Sequence, residues 1–185
     1  MRLNVVTHNP GKVKEYQAEF ADFDVQMVHV NREYDEVQTS YLEEVVDKGM
    51  KQLYAEGLRD FMIDDSGLFI NALKGFPGVY SAYGQKTVGN KGVLKLMKGV
   101  EDRSASFKCC IGCMIGEERI VVTGICPGYI LEEERGTEGF GYDPIFSPNG
   151  EQSFAEIPLE QKNKVSHRGI ATGMLIEELK NRGLI

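Results

Sequence analysis

Nowhere does the chain contain an apolar run approaching the ~18 residues that a membrane-crossing helix needs. Met1, Arg2, Leu3 and Asn4 lead straight into a strand pattern. Repeats and low-complexity stretches are missing as well. So is any surplus of positive charge: 21 Lys and Arg against 28 Asp and Glu give a formal net charge of −7, which argues against a general nucleic-acid or membrane-surface binder. The expectation is a soluble, cytoplasmic protein, and an anionic ligand would be small, held by local basic groups and helix ends. Cysteine is scarce, with Cys109, Cys110, Cys113 and Cys126 only, and no CxxC pair has a second half. On a strand over 104–115, Cys109 and Cys113 share one face while Cys110 points to the other, so the three cannot converge on one zinc. They are expected to be buried as small apolar residues. The phosphate loop pattern G-x-x-x-x-G-K-[ST] is also absent.

What is present is apolar content of 42%, enough to fill the core of one domain spanning 1–185. The most unusual stretch is Phe61-Met62-Ile63-Asp64-Asp65-Ser66-Gly67-Leu68, an apolar strand expected to end in a turn bearing two carboxylates. Charges in such a place are costly to bury unpaired. A hard divalent cation is a natural partner, because Mg²⁺ is often held by one or two carboxylates plus substrate phosphates. An ordinary acidic strand-end turn has the same composition, so the rest of the chain decides. Alternation along a strand turns Asp64 and Asp65 to opposite faces, and they need not share a task.

Residues 3–7 read as a strand that runs into His8-Asn9-Pro10-Gly11-Lys12 and a helix with Val13, Tyr16, Phe20 and Phe23 on one stripe. Asn9 suits the N-cap and Pro10 the first helical position. A strand feeding a capped helix N-terminus suits phosphate, and Lys12 sits in a first turn where the dipole disfavours a cation unless an anion offsets it. A plain strand–helix connection is the other reading. A second strand over 25–30, a helix with Leu42, Val45, Val46, Met50, Leu53 and Tyr54 inward, capped by Ser40 with Glu43 and ended by Gly57, and the strand at 61–63 imply an α/β sheet with crossover helices. Residues 68–73 fit strand or short helix, 75–83 a loop, and 91–100 a modest helix. Strands at 104–115 and 120–125 around a turn at 116–119, extended by 129–131, form a hairpin. The sum is a mixed α/β sheet flanked by helices, in two lobes with a central cleft.

Two stretches late in the chain complete the candidates. In Gly139-Phe140-Gly141-Tyr142-Asp143-Pro144 the flanking glycines leave the Phe140 ring open to stacking by a flat ligand, and Asp143 before Pro144 is expected to be extended. A tight turn around a core phenylalanine is the alternative. Lys162 and Ser166-His167-Arg168 precede or open a last helix with Ile170, Met174, Leu175 and Leu179 on one face; Ser166 caps it, and two potentially cationic groups sit against its dipole.

Taken together, Thr7-x-Asn9-x-x-Lys12, Asp64-Asp65-Ser66-Gly67-Leu68, Phe76-Pro77-Gly78, Phe140-Gly141-Tyr142-Asp143-Pro144 and Ser166-His167-Arg168, in this order from residue 7 to 168, resemble the inosine triphosphate pyrophosphatase (HAM1) family. The resemblance implies an elongated fold, a homodimer, and Mg²⁺-dependent hydrolysis of ITP, dITP and XTP to the monophosphate and pyrophosphate. It implies that Thr7, Asn9 and Lys12 hold the triphosphate, with His8, Pro10 and Gly11 in the same turn. Glu36 and Asp65 would bind Mg²⁺, with Asp65 the proton acceptor and Ser66 a substrate contact. Phe140, Gly141, Tyr142, Asp143, Lys162, His167 and Arg168 would form the base pocket. His8 departs from the family, where glycine is common. Donor groups on Lys162, His167 or Arg168 would match the 6-oxo acceptor of hypoxanthine or xanthine and oppose the amino group of adenine. An aspartyl-nucleophile phosphatase and a non-hydrolysing nucleotide sensor are the competing readings.

Overall fold

The first half follows the expected order: strand β1 (Arg2–Val6), helix α1 (Pro10–Glu19), strand β2 (Gln26–Val30), helix α2 (Leu42–Ala55) and strand β3 (Phe61–Ile70), in a computed structural model that describes residues 1–185. Helices α3 (Ser81–Thr87) and α4 (Gly89–Leu96) come next. Strands β4 (Ser104–Ile115) and β5 (Glu118–Ile130) form the hairpin, followed by the short β6 (Phe146–Ser147) and helices α5 (Leu159–Val165) and α6 (His167–Asn181). The six strands make one mixed sheet in the order β2-β1-β3-β4-β5-β6. β1 is parallel to β2 and β3, as crossover helices require, and the rest of the sheet is antiparallel.

Alternation along the strands sorts the core. Leu3 and Val5 of β1, Met62 of β3, and Cys109, Ile111 and Cys113 of β4 face α1 and α6, where they pack on Val13, Tyr16, Ala171 and Leu175. Val6, Phe61, Ile63, Cys110 and Met114 face α2, against Val46, Met50 and Leu53. The cysteine faces are therefore those expected, and all four thiols are buried and unpaired. A third cluster, with Leu68, Ile70, Phe107, Phe146 and Phe154, fills the opposite end of the sheet. Two glycines permit the layers to meet. A side-chain carbon on Gly112 would run into Met50 and Val46 of α2, and one on Gly124 would run into the His167 carbonyl and Ala171 of α6.

Several local expectations are corrected. The Asp64–Gly67 stretch is no strand-end turn: β3 continues for ten residues because β4 pairs with it throughout, from Phe61↔Met114 to Ile70↔Ala105. Its other neighbour stops early, since β1 pairs with β3 only at Asn4↔Phe61 and Val5↔Met62. The carboxylates thus lie in mid-strand, yet just past the end of the parallel β2-β1-β3 part, where ligands bind in open α/β sheets. After β3 a 3₁₀ turn (Asn71–Leu73) follows, so both readings of 68–73 hold in part. Within 75–83 a 3₁₀ turn (Gly78–Tyr80) and the start of α3 replace the loop. The Ser40–Glu43 capping box does not form: α2 starts at Leu42 with Tyr41 as N-cap, and Glu43 instead accepts from the Thr123 hydroxyl at 2.9 Å. On α6, Ile170 and Met174 are exposed, and the buried stripe is Arg168, Ala171, Thr172, Leu175, Ile176 and Leu179.

Candidate active site

One cavity of about 780 Å³ opens over the C-terminal ends of β1 and the middle of β3. That size suits a small-molecule ligand. Every residue singled out from the sequence for a site role lines it except Gly11. Gly11 lies just behind: a side-chain carbon there would come within 2.6 Å of the Phe140 ring, so glycine lets the ring rest on the turn.

At one end of the cavity, β1 gives way to a turn that prepares the N-terminus of α1. The Asn9 side chain accepts from the Gly11 N–H at 2.9 Å, and Pro10 occupies the first helical position, both as expected. The Thr7 hydroxyl accepts from the Asn9 N–H at 3.1 Å. The His8 ring bonds the Asn31 side chain, with its other nitrogen 3.7 Å from Glu33. Lys12 reaches across to β3, its Nζ 2.9 Å from Asp64 Oδ2.

Asp64 and Asp65 face opposite ways and live in different environments. Asp64 is buried, and its Oδ2 is met by Lys12, by the Ser66 hydroxyl at 3.2 Å and by Arg168 at 3.5 Å. Burial raises its pKa, but the Lys12 and Arg168 cations outweigh that and hold the carboxyl below its ordinary value. Asp64 is thus committed to positioning two cations. Asp65 sits on the α2 side, near Tyr34 and the exposed Glu36. Burial pushes its pKa up to about 7; Lys12 pulls it down, while Glu36 and Asp64 add to the rise. Two carboxylates lining one cavity are the oxygen-donor chemistry that suits Mg²⁺. No cluster of three or more His, Cys, Asp or Glu is placed to hold a metal unaided. Asp65 and Glu36 would therefore hold a cation only with further oxygen donors supplied from outside the protein.

The far end is built around Glu15, a residue that sequence reasoning passed over. Its carboxylate bonds Lys162 Nζ at 2.7 Å and the Arg168 guanidinium, and Lys162 also bonds Asp143 Oδ2 at 2.8 Å. Burial raises the Glu15 pKa, but Arg168 and Lys162 bring the net shift below the ordinary value. The only signal in the sequence is a carboxylate beside Val13 and Tyr16, on the helix face turned to the core. Phe140 lies with Lys162 Nζ 5.0 Å above its ring centroid and the Arg168 guanidinium 5.7 Å away. Its N–H donates to Asp143 Oδ2 at 3.0 Å. Asp143 is not extended, as expected before a proline, but opens a 3₁₀ turn (Asp143–Ile145), its carboxylate fixed by these partners. His167 is not cationic either: burial, then Arg168 and Lys162, hold its pKa well below the ordinary value. Its ring stacks on Phe107 at 4.5 Å and 9°. The Ser166 cap of α6 is as expected, accepting from the Gly169 N–H at 3.0 Å.

Gln85 and Ser81 also lie on the wall. The Ser81 hydroxyl accepts from the Leu68 N–H of β3 at 2.8 Å, and its carbonyl accepts from the Tyr142 hydroxyl at 2.8 Å, which ties the β3 end of the cavity to the Phe140 loop. No feature of the local sequence announces these two.

Known proteins resemble this chain in sequence and fold. A profile described as the Ham1 family matches residues 3–178. A dITP/XTP pyrophosphatase of Pyrococcus horikoshii is 49% identical over 181 residues, covering 97% of each chain. One from Thermococcus kodakarensis is 49% identical over 172 residues, 92% of this chain and 93% of its own. The solved structure of a HAM1 protein from Coxiella burnetii superimposes with a TM-score of 0.82 at 31% identity, covering 98% of this chain and 99% of that one.

Proposed function

The chain belongs to the Ham1 family, and from that premise we propose that it is a nucleoside triphosphate pyrophosphohydrolase acting on non-canonical purine nucleotides. Its substrates are ITP, dITP and XTP, its products the monophosphate and pyrophosphate, and its cofactor Mg²⁺. It acts as a cytoplasmic homodimer whose cavity is the cleft between two lobes. What carries the proposal is convergence: Lys12, Asp65 and Phe140, from three distant parts of the chain, line one cavity. A single nucleotide reaches all three.

Asp65 and Glu36 would hold Mg²⁺, which when bound supplies Lewis-acid charge to the phosphate oxygens. Asp65, with its pKa raised to about 7, is suited to take a proton from an attacking water near neutral pH. Lys12, already beside the β3 carboxylates, offsets charge on the departing pyrophosphate together with the N–H groups that open α1. Little covalent help is required, because phosphoryl transfer depends on positioning and charge. Phe140 offers its face to the purine.

Release of pyrophosphate from a panel of nucleoside triphosphates, with and without Mg²⁺, tests the reading. ITP and XTP are expected to be cut, and ATP poorly. Asp65→Asn is expected to lose about 10²- to 10⁴-fold in turnover with its fold intact. Orthophosphate as the only phosphorus product would point to a phosphatase instead, and near-wild-type turnover by Asp65→Asn would remove Asp65 from the chemistry.

A further inference from the structure

We propose that Asn90 and Gln85 set the purine preference of the site from behind the base pocket, by fixing the direction of the peptide that joins Gly141 to Tyr142. This rests on the nucleotide-hydrolase reading above. The Gly141 carbonyl oxygen accepts two side-chain hydrogen bonds, from Asn90 Nδ2 of α4 at 3.0 Å and from Gln85 Nε2 of α3 at 3.3 Å. Each amide leaves its own oxygen without a partner, Asn90 Oδ1 and Gln85 Oε1 both being buried. Each amide is thus placed in the protein by its donor end, on the Gly141 carbonyl.

The peptide they hold is one that needs holding. Gly141 has φ +62°, a left-handed conformation that suits glycine, and a side-chain carbon there would meet nothing within 4 Å. Open space around a glycine leaves its flanking peptides free to turn unless hydrogen bonds stop them. The next residue is pinned to the same support, by the Tyr142 hydroxyl on the Ser81 carbonyl.

A trans peptide is planar, with N–H opposed to C=O. With the Gly141 carbonyl held on α3 and α4, the Tyr142 N–H is directed away from them. Neither it nor the Gly141 N–H donates to any acceptor in the protein. Gly141 and Tyr142 both line the cavity, and a main-chain donor turned into it would match the oxygen at position 6 of hypoxanthine or xanthine and oppose the amino group of adenine. Of the side chains first considered for that task, Lys162 and Arg168 hold carboxylates and His167 is kept neutral, while Arg168 Nε and His167 Nδ1 have no partner in the protein and stand beside the main chain as further polar groups of the pocket. An amide group of the main chain, set in place by Asn90 and Gln85, then provides the mismatch on which strong discrimination depends.

The test compares kcat and KM for ITP and ATP in the wild type, Asn90→Leu and Gln85→Met, each variant removing one donor. The expected result is a KM for ITP raised about tenfold and an ITP-over-ATP ratio of kcat/KM lowered by a similar factor. The kcat for ITP should stay within about twofold, since the groups at the phosphates are untouched. Loss of kcat on both substrates with the ratio preserved marks a purely structural brace and overturns the proposal. Should Asn90→Leu fail to fold, the same split must appear in Gln85→Met. A wild type that releases pyrophosphate from ITP and ATP alike overturns this inference and the purine preference with it, and spares only the pyrophosphate-releasing chemistry. One that releases none from any nucleotide removes both.

Discussion

Burial acts on both carboxylates of the Asp64–Asp65 pair, yet their charges are settled in opposite ways. Asp64 has Lys12 and Arg168 against it and stays below its ordinary pKa, whereas Asp65 has Glu36 and Asp64 nearby and is pushed up to about 7. The sign for stability follows. Between the ordinary value of 3.8 and about 7 the folded chain holds more protons at Asp65 than the unfolded chain does. Its stabilising contribution is complete below that window and lost as pH rises through it. Asn cannot ionise, so in a chelator Asp65→Asn should melt above wild type, by a gap that widens from about pH 5 to about pH 8. Thermal melts at both pH values check this, and a gap that narrows would contradict the assigned environment. The cavity-lining residues were legible because many of them fall in short runs of unusual composition, Thr7 to Lys12, Asp64 to Gly67 and Phe140 to Asp143. Glu15 was not: its partner Lys162 lies 147 residues away, and no local pattern encodes such a pairing.

At the scale of elements, runs of apolar and β-branched residues placed β1, β2, β4 and β5 well, and in β5 alternate residues are buried against one side of the sheet while the others stay outward. The apolar pattern failed at β3, where Asp64-Asp65-Ser66-Gly67 has the composition of a turn. Pairing with the long β4 overrode that local preference. It failed on α6 as well, since a charged residue, Arg168, occupies the buried stripe while Ile170 and Met174 face outward. That helix sets His167 and Arg168 in place through its close approach to Gly124. Gly124→Ala should force α6 away from β5 and destabilise the fold by about 1–3 kcal/mol, as overpacking of a tight core does. Urea unfolding measures the loss, and activity on ITP should fall with it. An unchanged midpoint would mean that the two layers can separate at no cost.

Over the whole molecule, the order of the sheet was less legible than its strands, because it is decided by which edges meet and not by any one segment. The outcome is a site whose parts come from residue 7 to residue 168, held on the most deeply buried strands. The four thiols share that protection. None of them is exposed, and burial pushes Cys109, Cys110 and Cys113 to about 12 and Cys126 to about 11, so thiolate is scarce at neutral pH. Native protein should resist an alkylating reagent that labels denatured protein at once, and mass spectrometry after timed exposure would read this directly. Since Cys109 and Cys110 pair with Ser66 and Asp65 across the ladder, covalent tagging at those two sulfurs becomes a clock for how often β3 comes apart from β4.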